Sequence, residues 1–216
     1  RLRETNRSGE TAMNFRKPAR APQSGFTLVE IAIVLVIIGL LLGGVLKSQE
    51  LITQAKIKNV SNELNGFAAA VYSYQERFRA LPGDDPGAHT RWTDTDAAGA
   101  NPGNGIIEAD EQILFWQHLR KAGFVAGKIK AGAPLNAVGG KTEPVTQGHG
   151  LGGIAICTHR LPAKIAEALD VQFDEGSPSE GSIRSAIEVD TVPTTAPTIT
   201  NYVDDGSTLY VTCKQL

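Results

Sequence analysis

The chain has 216 residues, of which 41% are hydrophobic, with a formal net charge of −2 and two cysteines. This length fits one globular domain with an additional segment, and the moderate hydrophobic content excludes a protein that crosses a membrane many times. The near-neutral charge excludes a general electrostatic attraction to nucleic acid, for which the sequence offers no direct support. Two cysteines can form one disulfide bond but cannot form a four-cysteine zinc site.

Charged and apolar residues are strongly segregated along the chain. Residues 1–24 contain six Lys or Arg against two Asp or Glu, a net charge of +4, whereas residues 26–216 contain fifteen against twenty-one, a net charge of −6. Within the latter part, residues 26–46 have Ala, Val, Ile, Leu or Phe at 16 of 21 positions. A helix of this length spans roughly 30 Å, the thickness of the hydrocarbon core of a bilayer. We therefore predict a single transmembrane helix over residues 26–46.

The flanking charges predict the orientation of this helix. Arg16, Lys17 and Arg20 precede it with no acidic residue among them, whereas Lys47 is the only cation in the first nine residues after it. The positive-inside rule then places the N-terminus in the cytoplasm and the bulk of the chain outside. A secretory signal peptide and a plain signal anchor are the alternatives. A secretory signal peptide has a shorter apolar core, followed by an Ala-x-Ala cleavage site, and this segment has neither feature.

One carboxylate lies inside the apolar segment. Glu30 is its fifth residue, and a charge at that depth costs at least ~2.5 kcal/mol on insertion scales. An acid in this place is expected to serve a function and to need a cationic partner. The sequence offers no Lys, Arg or His within two helical turns on the membrane side.

Residues 25–30, Gly-Phe-Thr-Leu-Val-Glu, with a basic leader before them and an apolar helix after them, resemble the class III signal of type IV prepilins and pseudopilins. The resemblance implies that a prepilin peptidase cuts between Gly25 and Phe26 and N-methylates the new terminal Phe26. Glycine suits the position before the cut because it has no side chain to accommodate. The resemblance also implies that Glu30 neutralises the α-ammonium of an adjacent subunit during assembly. Thr27 is expected only to donate to a backbone carbonyl, as hydroxyls in membrane helices do.

The resemblance divides the chain into four parts. Residues 1–25 form the leader. Because Met13 is the only methionine, we expect translation to start at Met13, with residues 1–12 upstream of the start. Residues 26–46 cross the membrane, residues 47–81 continue the helix into the periplasm, and residues 82–216 form the head domain. The expected fold is α+β and pilin-like: one long N-terminal helix, whose amphipathic half packs on a small antiparallel sheet with long loops.

The amphipathic half is visible in the sequence itself. Residues 47–80 contain no proline and one glycine, and apolar residues recur at steps of mostly three and four. This spacing predicts a helical stripe that packs on a sheet, and Pro82 and Gly83 end the helix. The stripe consists of Leu51, Ala55, Val60, Leu64, Phe67, Ala68, Val71, Tyr74 and Phe78.

The sequence of the head domain predicts loops, two helices and three strands. Residues 81–111 are rich in Gly, Asp, Pro and Asn and predict a loop. Charged termini predict a helix over 110–124, with His118 on its surface, and Pro162 begins a short helix over 162–169. Strands are predicted over 151–157, 182–189 and 208–213.

Two groups of residues in the head domain are candidates for special chemistry. The oxygen-rich side chains of the long loop predict either a calcium site or a plain solvated loop, since hard cations need several carboxylate and amide oxygens. These are Asp94, Asp96, Asn101, Asn104 and Glu108. Cys157 and Cys213 each end a predicted strand, and the resemblance implies a C-terminal disulfide between them. The alternative is a Cys157 nucleophile with His149 or His159.

The favoured function is therefore structural and not enzymatic. The resemblance implies a minor pilin or pseudopilin of a type IV pilus or a type II secretion pseudopilus, in the bacterial inner membrane until it is assembled. Its partners are other subunits, the prepilin peptidase, the inner-membrane assembly platform and the lipid bilayer, and no cofactor is required. The alternative is a membrane-anchored periplasmic binding domain or enzyme that uses the helix only as an anchor.

Overall fold

A computed structural model describes residues 25–216. The predicted start at Met13 and the leader before Gly25 lie outside these residues. The chain divides into two compact units, one ending at Leu46 and the other comprising Lys47–Leu216.

The described part of the first unit consists almost entirely of the start of helix α1 (Leu28–Phe78). Among the described residues, α1 is the one helix long and apolar enough to cross a membrane. Its side chains from Leu28 to Leu46 are all exposed. Such a continuous apolar surface is typical of a segment that contacts lipid or other helices.

The later turns of α1 belong to the second unit and are amphipathic. Val60, Leu64 and Tyr74 are buried, as the stripe predicted, but Leu51 and Ala55 are exposed because the globular part covers only the turns from about residue 57 onward. The helix ends at Phe78, where the next residue, Arg79, takes a left-handed conformation (φ 56°) and donates its backbone N–H to the carbonyl of Gln75. Left-handed residues commonly terminate helices in this way.

Four strands form one antiparallel sheet in the order β1-β2-β4-β3. They are β1 (Thr142–Thr146), β2 (Ile154–Pro162), β3 (Ile183–Ile187) and β4 (Leu209–Gln215). The last three confirm the predicted strands with shifted ends. Strand β1 was not predicted, because it is short and contains Pro144, which is tolerated here since β1 is an edge strand.

The second unit also contains three α-helices, α2 (Ala88–Arg91), α3 (Glu111–Lys121) and α4 (Ala163–Phe173), and a short 3-10 turn over Gly148–Gly150. The charge pattern predicted α3 correctly. Helix α4 begins after Pro162 as predicted but continues four residues further than expected. Helix α2 is a single turn inside the predicted loop.

Both faces of the sheet are buried. One face shares a core with α1, α3 and α4, in which Phe67 packs edge-on against Trp116 with 4.9 Å between ring centroids. The opposite face is covered by loop residues instead of helices. The core on the helix side includes Leu64, Tyr74, Trp116, Leu119, Ile156, Leu169, Ile183 and Tyr210. The core on the loop side consists of Leu151, Ala155, Cys157, Val192, Val211 and Cys213. The arrangement is the α+β fold that the sequence predicted.

Candidate functional site

The residues of the predicted cleavage site lie before the first turn of α1. Phe26 is 83% exposed, and neither it nor Gly25 belongs to a helix or strand. A side chain at Gly25 would meet nothing within 4 Å among the described residues. The peptide bond between these two residues is therefore accessible from the surface of the subunit.

Thr27 and Glu30 form a reciprocal cap at the start of α1. The backbone N–H of Thr27 donates to Oε2 of Glu30 at 2.8 Å, and the backbone N–H of Glu30 donates to Oγ1 of Thr27 at 3.2 Å. The Thr27 hydroxyl also donates to the same carboxylate oxygen at 2.8 Å. This is a capping box, which satisfies two N–H groups that a helix leaves unpaired at its N-terminus.

The capping box corrects the expectation for Thr27. Its hydroxyl binds the Glu30 carboxylate and not a backbone carbonyl. The signal was present in the sequence, since Thr-x-x-Glu before an apolar run is the capping-box pattern. The Glu30 carboxylate therefore lies at the N-terminal end of the helix, bound to the residue that follows Phe26. The N-terminal end of a helix favours a negative charge.

The two cysteines are joined by a disulfide bond between β2 and β4. Cys157 and Cys213 are directly opposite each other in the strand register, and both are completely buried. Neither cysteine is free, so the alternative of a Cys157 nucleophile is not supported. His149 and His159 bind other groups: Nδ1 of His149 lies 3.1 Å from the carbonyl oxygen of Arg184, and His159 lies between two glutamates.

A close backbone approach shields the disulfide. A β-carbon at Gly148 would lie 2.9 Å from Sγ of Cys157 and 3.4 Å from Sγ of Cys213. Only glycine therefore lets this loop lie directly on the sulfur atoms without a shift of either.

Two adjacent buried carboxylates, which the sequence analysis missed, organise the long loop after α1. Asp84 accepts backbone N–H groups from residues 103–105, including Gly105 at 2.7 Å. Asp85 accepts from the hydroxyl of Tyr74 at 2.7 Å and from Arg91. Burial and the hydrogen bond to Asp85 raise the pKa of Tyr74 well above its usual value. Apart from Arg91, which lies six residues from Asp85, these partners are 11 or more residues away, so the sequence carried no local signal for most of these contacts.

The five residues of the predicted calcium site fall into two groups. Asp94 and Asp96 bind lysines, Lys121 at 2.7 Å and Lys130 at 2.6 Å, which lower the pKa of each carboxyl. The other group is Asn101, Asn104 and Glu108, in which both amides donate to Oε1 of Glu108, at 3.2 and 3.4 Å. Within residues 25–216, no three His, Cys, Asp or Glu side chains are arranged to hold a metal ion. Calcium binding by this loop stays a prediction.

His118 is buried, which contradicts the prediction of a surface histidine. Its side chain is 1% exposed, its Nδ1 accepts the backbone N–H of Gly83 at 2.9 Å, and its ring stacks on Tyr74. Burial lowers the pKa of His118 to about 4, so the imidazole is neutral at neutral pH. The prediction was wrong because the segment that covers this face of α3 lies 35 residues earlier in the sequence.

Comparison with known proteins supports the interpretation of the N-terminal motif. The family model described as the prokaryotic N-terminal methylation motif matches residues 20–46. No curated protein and no solved structure matches the chain. The match covers the predicted cleavage residues, the capping box and the apolar part of α1. It does not extend to the head domain.

Proposed function

We propose that this chain, which carries the signature of type IV pilins and pseudopilins, is a structural subunit of a type IV pilus or a type II secretion pseudopilus. The observation that carries the proposal is the match over residues 20–46, in a segment where an exposed Gly25-Phe26 bond directly precedes an exposed apolar helix. Within this class we favour a minor pilin or pseudopilin, on the ground of the long loops in the head domain.

The first step that we propose is processing by a prepilin peptidase. The enzyme cuts between Gly25 and Phe26 on the cytoplasmic side and N-methylates Phe26. The position of the bond supports this step, because it lies outside α1 and is accessible. A peptidase needs its substrate backbone unwound, and a bond inside the helix would first have to be released from its hydrogen bonds.

The second part of the proposal is the location of the subunit before assembly. The apolar half of α1 crosses the inner membrane once, with the N-terminus in the cytoplasm and the head domain in the periplasm. The continuous exposed apolar surface of residues 28–46 supports the crossing, and Arg16, Lys17 and Arg20 support the orientation. The disulfide supports the periplasmic head, because such bonds persist in oxidising compartments.

The third part is assembly through the N-terminal helix. The new α-ammonium of one subunit pairs with the Glu30 carboxylate of its neighbour, and the assembly platform of the inner membrane supplies the subunits to the filament. The capping box supports this pairing because it holds Oε2 of Glu30 at 2.8 Å from the backbone nitrogen of Thr27, at the very end of the helix. A charge pair in a water-poor environment is costly to break, because the remaining charge is left without a partner.

The processing step is tested with the full chain and a prepilin peptidase expressed together. We expect the wild-type chain to lose its leader up to Gly25, visible as faster electrophoretic migration, and Gly25→Leu to remain uncut. Gly39→Leu is the matched control: it makes the same change inside the apolar helix, where an added side chain meets nothing within 4 Å, and it should be cut like the wild type. A Gly25→Leu chain that is cut normally would contradict the assigned bond.

A further inference from the structure

The loop after α1 ends in a stretch that matches the second half of a calcium-binding loop of the EF-hand type. Such a loop has twelve positions, with Asp or Asn at the fifth, glycine at the sixth and glutamate at the twelfth. Residues 100–111 place Asn104, Gly105 and Glu111 at these three positions. Gly105 takes a left-handed conformation (φ 80°), as the sharp turn at the sixth position requires. The first and third positions, by contrast, carry side chains without oxygen.

A carboxylate from outside this stretch lies against its turn. The two oxygens of Asp84 accept the backbone N–H groups of residues 103–105, with Gly105 at 2.7 Å. Asp84 is buried, and an ionised carboxylate has about four lone-pair sites. Three N–H groups therefore leave one site of Asp84 free. Asp84 both holds the turn and supplies the carboxylate that the first position of the loop lacks.

At the other end of the loop, Glu111 is buried with one oxygen unpartnered. It is the first residue of α3 and is 0% exposed. Oε2 accepts the N–H of Glu108 at 3.1 Å, whereas Oε1 has no hydrogen-bond partner within residues 25–216. A β-carbon at Gly99 would lie 2.7 Å from Oε1, so this oxygen faces the start of the loop. A buried acceptor without a partner is costly and calls for a ligand.

The two carboxylates are neighbours. The residue before Asp84 packs against the backbone of Glu111, because a β-carbon at Gly83 would lie 3.0 Å from the carbonyl oxygen of Glu111. Burial raises the pKa of Glu111, the N–H of Glu108 opposes this change, and the charge of Asp84 adds to it. In the part of the chain that the structure describes, neither carboxylate forms an ion pair with a cationic side chain.

A calcium ion satisfies this arrangement better than a proton. A proton on Oε1 of Glu111 would make it a donor, and the described residues provide no acceptor for it. Calcium instead binds carboxylate, amide and carbonyl oxygens together with water. The loop offers the amide of Asn104, whose Oδ1 accepts the N–H of Ile106 at 2.7 Å, and the carbonyl of Ile106 at the seventh position. Two carboxylates with neutral oxygens need no cluster of three acids, and residues 25–216 contain none that could hold a metal.

We propose that the two carboxylates and the neutral oxygens of the turn bind one calcium ion, which fixes the loop over residues 100–111 to the segment that follows α1. The donors are Asp84, Asn104, the carbonyl of Ile106 and Glu111. Among the five residues that the sequence analysis predicted as ligands, Asp94 and Asp96 bind lysines instead. With two carboxylates and water completing the coordination, we expect a Kd of about 0.1 to 1 mM, as in extracellular modules. The inference rests on the head domain alone and is independent of the proposed assembly function.

The test measures calcium binding by the full chain in detergent micelles. Calcium chloride is titrated by calorimetry into protein stripped with a chelator, and denaturant unfolding is compared in about 10 mM calcium and in chelator at the same ionic strength. An ion that binds only the folded state lowers the unfolding equilibrium constant by the factor 1 + [Ca²⁺]/Kd. For the expected Kd, the wild-type constant should fall roughly ten- to hundred-fold.

Variants identify the donors. Glu111→Gln can still accept the N–H of Glu108 but carries no charge, so we expect it to be at least as stable as the wild type in chelator and to bind calcium at least ten-fold more weakly. Glu167→Gln, the same change on the exposed surface of α4, is the matched control and should bind like the wild type. Asp94→Asn should also bind like the wild type, because Asp94 is paired with Lys121.

Three results would overturn the proposal. The first is a wild-type chain that unfolds at the same denaturant concentration with and without calcium, a measurement that needs no variant to fold. The second is a folded Glu111→Gln chain with wild-type calcium affinity. The third is loss of binding in Asp94→Asn, which would assign the ion to a different set of oxygens in the same loop.

Discussion

Glu30 lies in the apolar half of α1, and its charge is already partly compensated inside the subunit. Two donors of Thr27, the backbone N–H and the hydroxyl, both bind Oε2 at 2.8 Å. Hydrogen bonds to an ionised acceptor are about twice as strong as those between neutral groups. The capping box thus explains how a carboxylate can be accommodated in an apolar segment that offers no cationic side chain nearby.

At the residue scale, the first prediction concerns assembly. Glu30→Ala should be inserted and cut like the wild type but enter filaments at least ten-fold less, because the α-ammonium of the neighbouring subunit loses its acceptor. The measurement is the amount of subunit in a sheared surface or pseudopilus fraction relative to membranes. Glu50→Ala is the matched control, since Glu50 forms an exposed ion pair with Lys47 beyond the apolar segment. Normal incorporation of the Glu30 variant would refute the charge-pair role.

The second prediction at this scale is a pH dependence caused by His118. Its pKa is about 4 in the folded chain and near 6.5 when unfolded, so the unfolded state binds the proton more tightly. Stability from this group is complete above pH 6.5 and falls as the pH is lowered toward 4, by about 3 kcal/mol at roughly 1.4 kcal/mol per pKa unit.

This dependence is measured by denaturant unfolding of the full chain in detergent between pH 7 and pH 4. His118→Gln can still accept the N–H of Gly83 but cannot titrate, so its stability should fall less over the same range. His89→Gln, which changes a histidine on the exposed surface of α2, serves as the control and should follow the wild type. Identical pH profiles for the wild type and His118→Gln would contradict the burial effect.

At the scale of elements, α1 and the loop after it behave as one structure. Asp85 attaches the start of that loop to the helix through the hydroxyl of Tyr74, and Asp84 binds the backbone N–H groups of residues 103–105 within the loop. A loop fixed in this way needs little regular structure of its own, and it contains the single helical turn of α2. The pairing explains how a long segment rich in Gly, Asp and Asn adopts one conformation.

Removing the first of these carboxylates should loosen the loop. Asp84→Ala leaves buried N–H groups without an acceptor, and we expect a loss of about 2 kcal/mol of stability together with faster proteolysis between residues 99 and 105. Asp94→Ala removes a carboxylate of the same loop that is exposed and paired with Lys121, and it should cost far less stability, because exposed ion pairs contribute little. Equal effects of the two variants would show that burial of Asp84 does not matter.

The elements also show which features a sequence can predict. The long helix, α3, α4 and three strands followed from local signals: apolar spacing, charged helix ends, and Pro82 and Pro162. Strand β1 was missed because its edge position, which makes Pro144 acceptable, is a property of the completed sheet. His118 and Asp84 were missed for the same kind of reason, since their partners come from segments 19 or more residues away. Only the capping box was missed although its signal was local.

At the scale of the whole molecule, the two units differ in what they contain. The N-terminal unit supplies the processing motif, the carboxylate and the apolar surface, whereas the second unit is a disulfide-bonded α+β domain. The family model matches residues 20–46, within the former, and does not reach the latter.

The measurement that tests the central claim most directly is N-terminal mass spectrometry of the chain expressed in its own host, on membranes and on a sheared surface fraction separately. We predict that the chain begins at N-methylated Phe26 in both fractions if it forms an extended pilus, and in membranes alone if it belongs to a short pseudopilus or is a rare subunit. A chain that still carries its leader in both fractions would contradict the account, and α1 would then serve only as an anchor for the head domain.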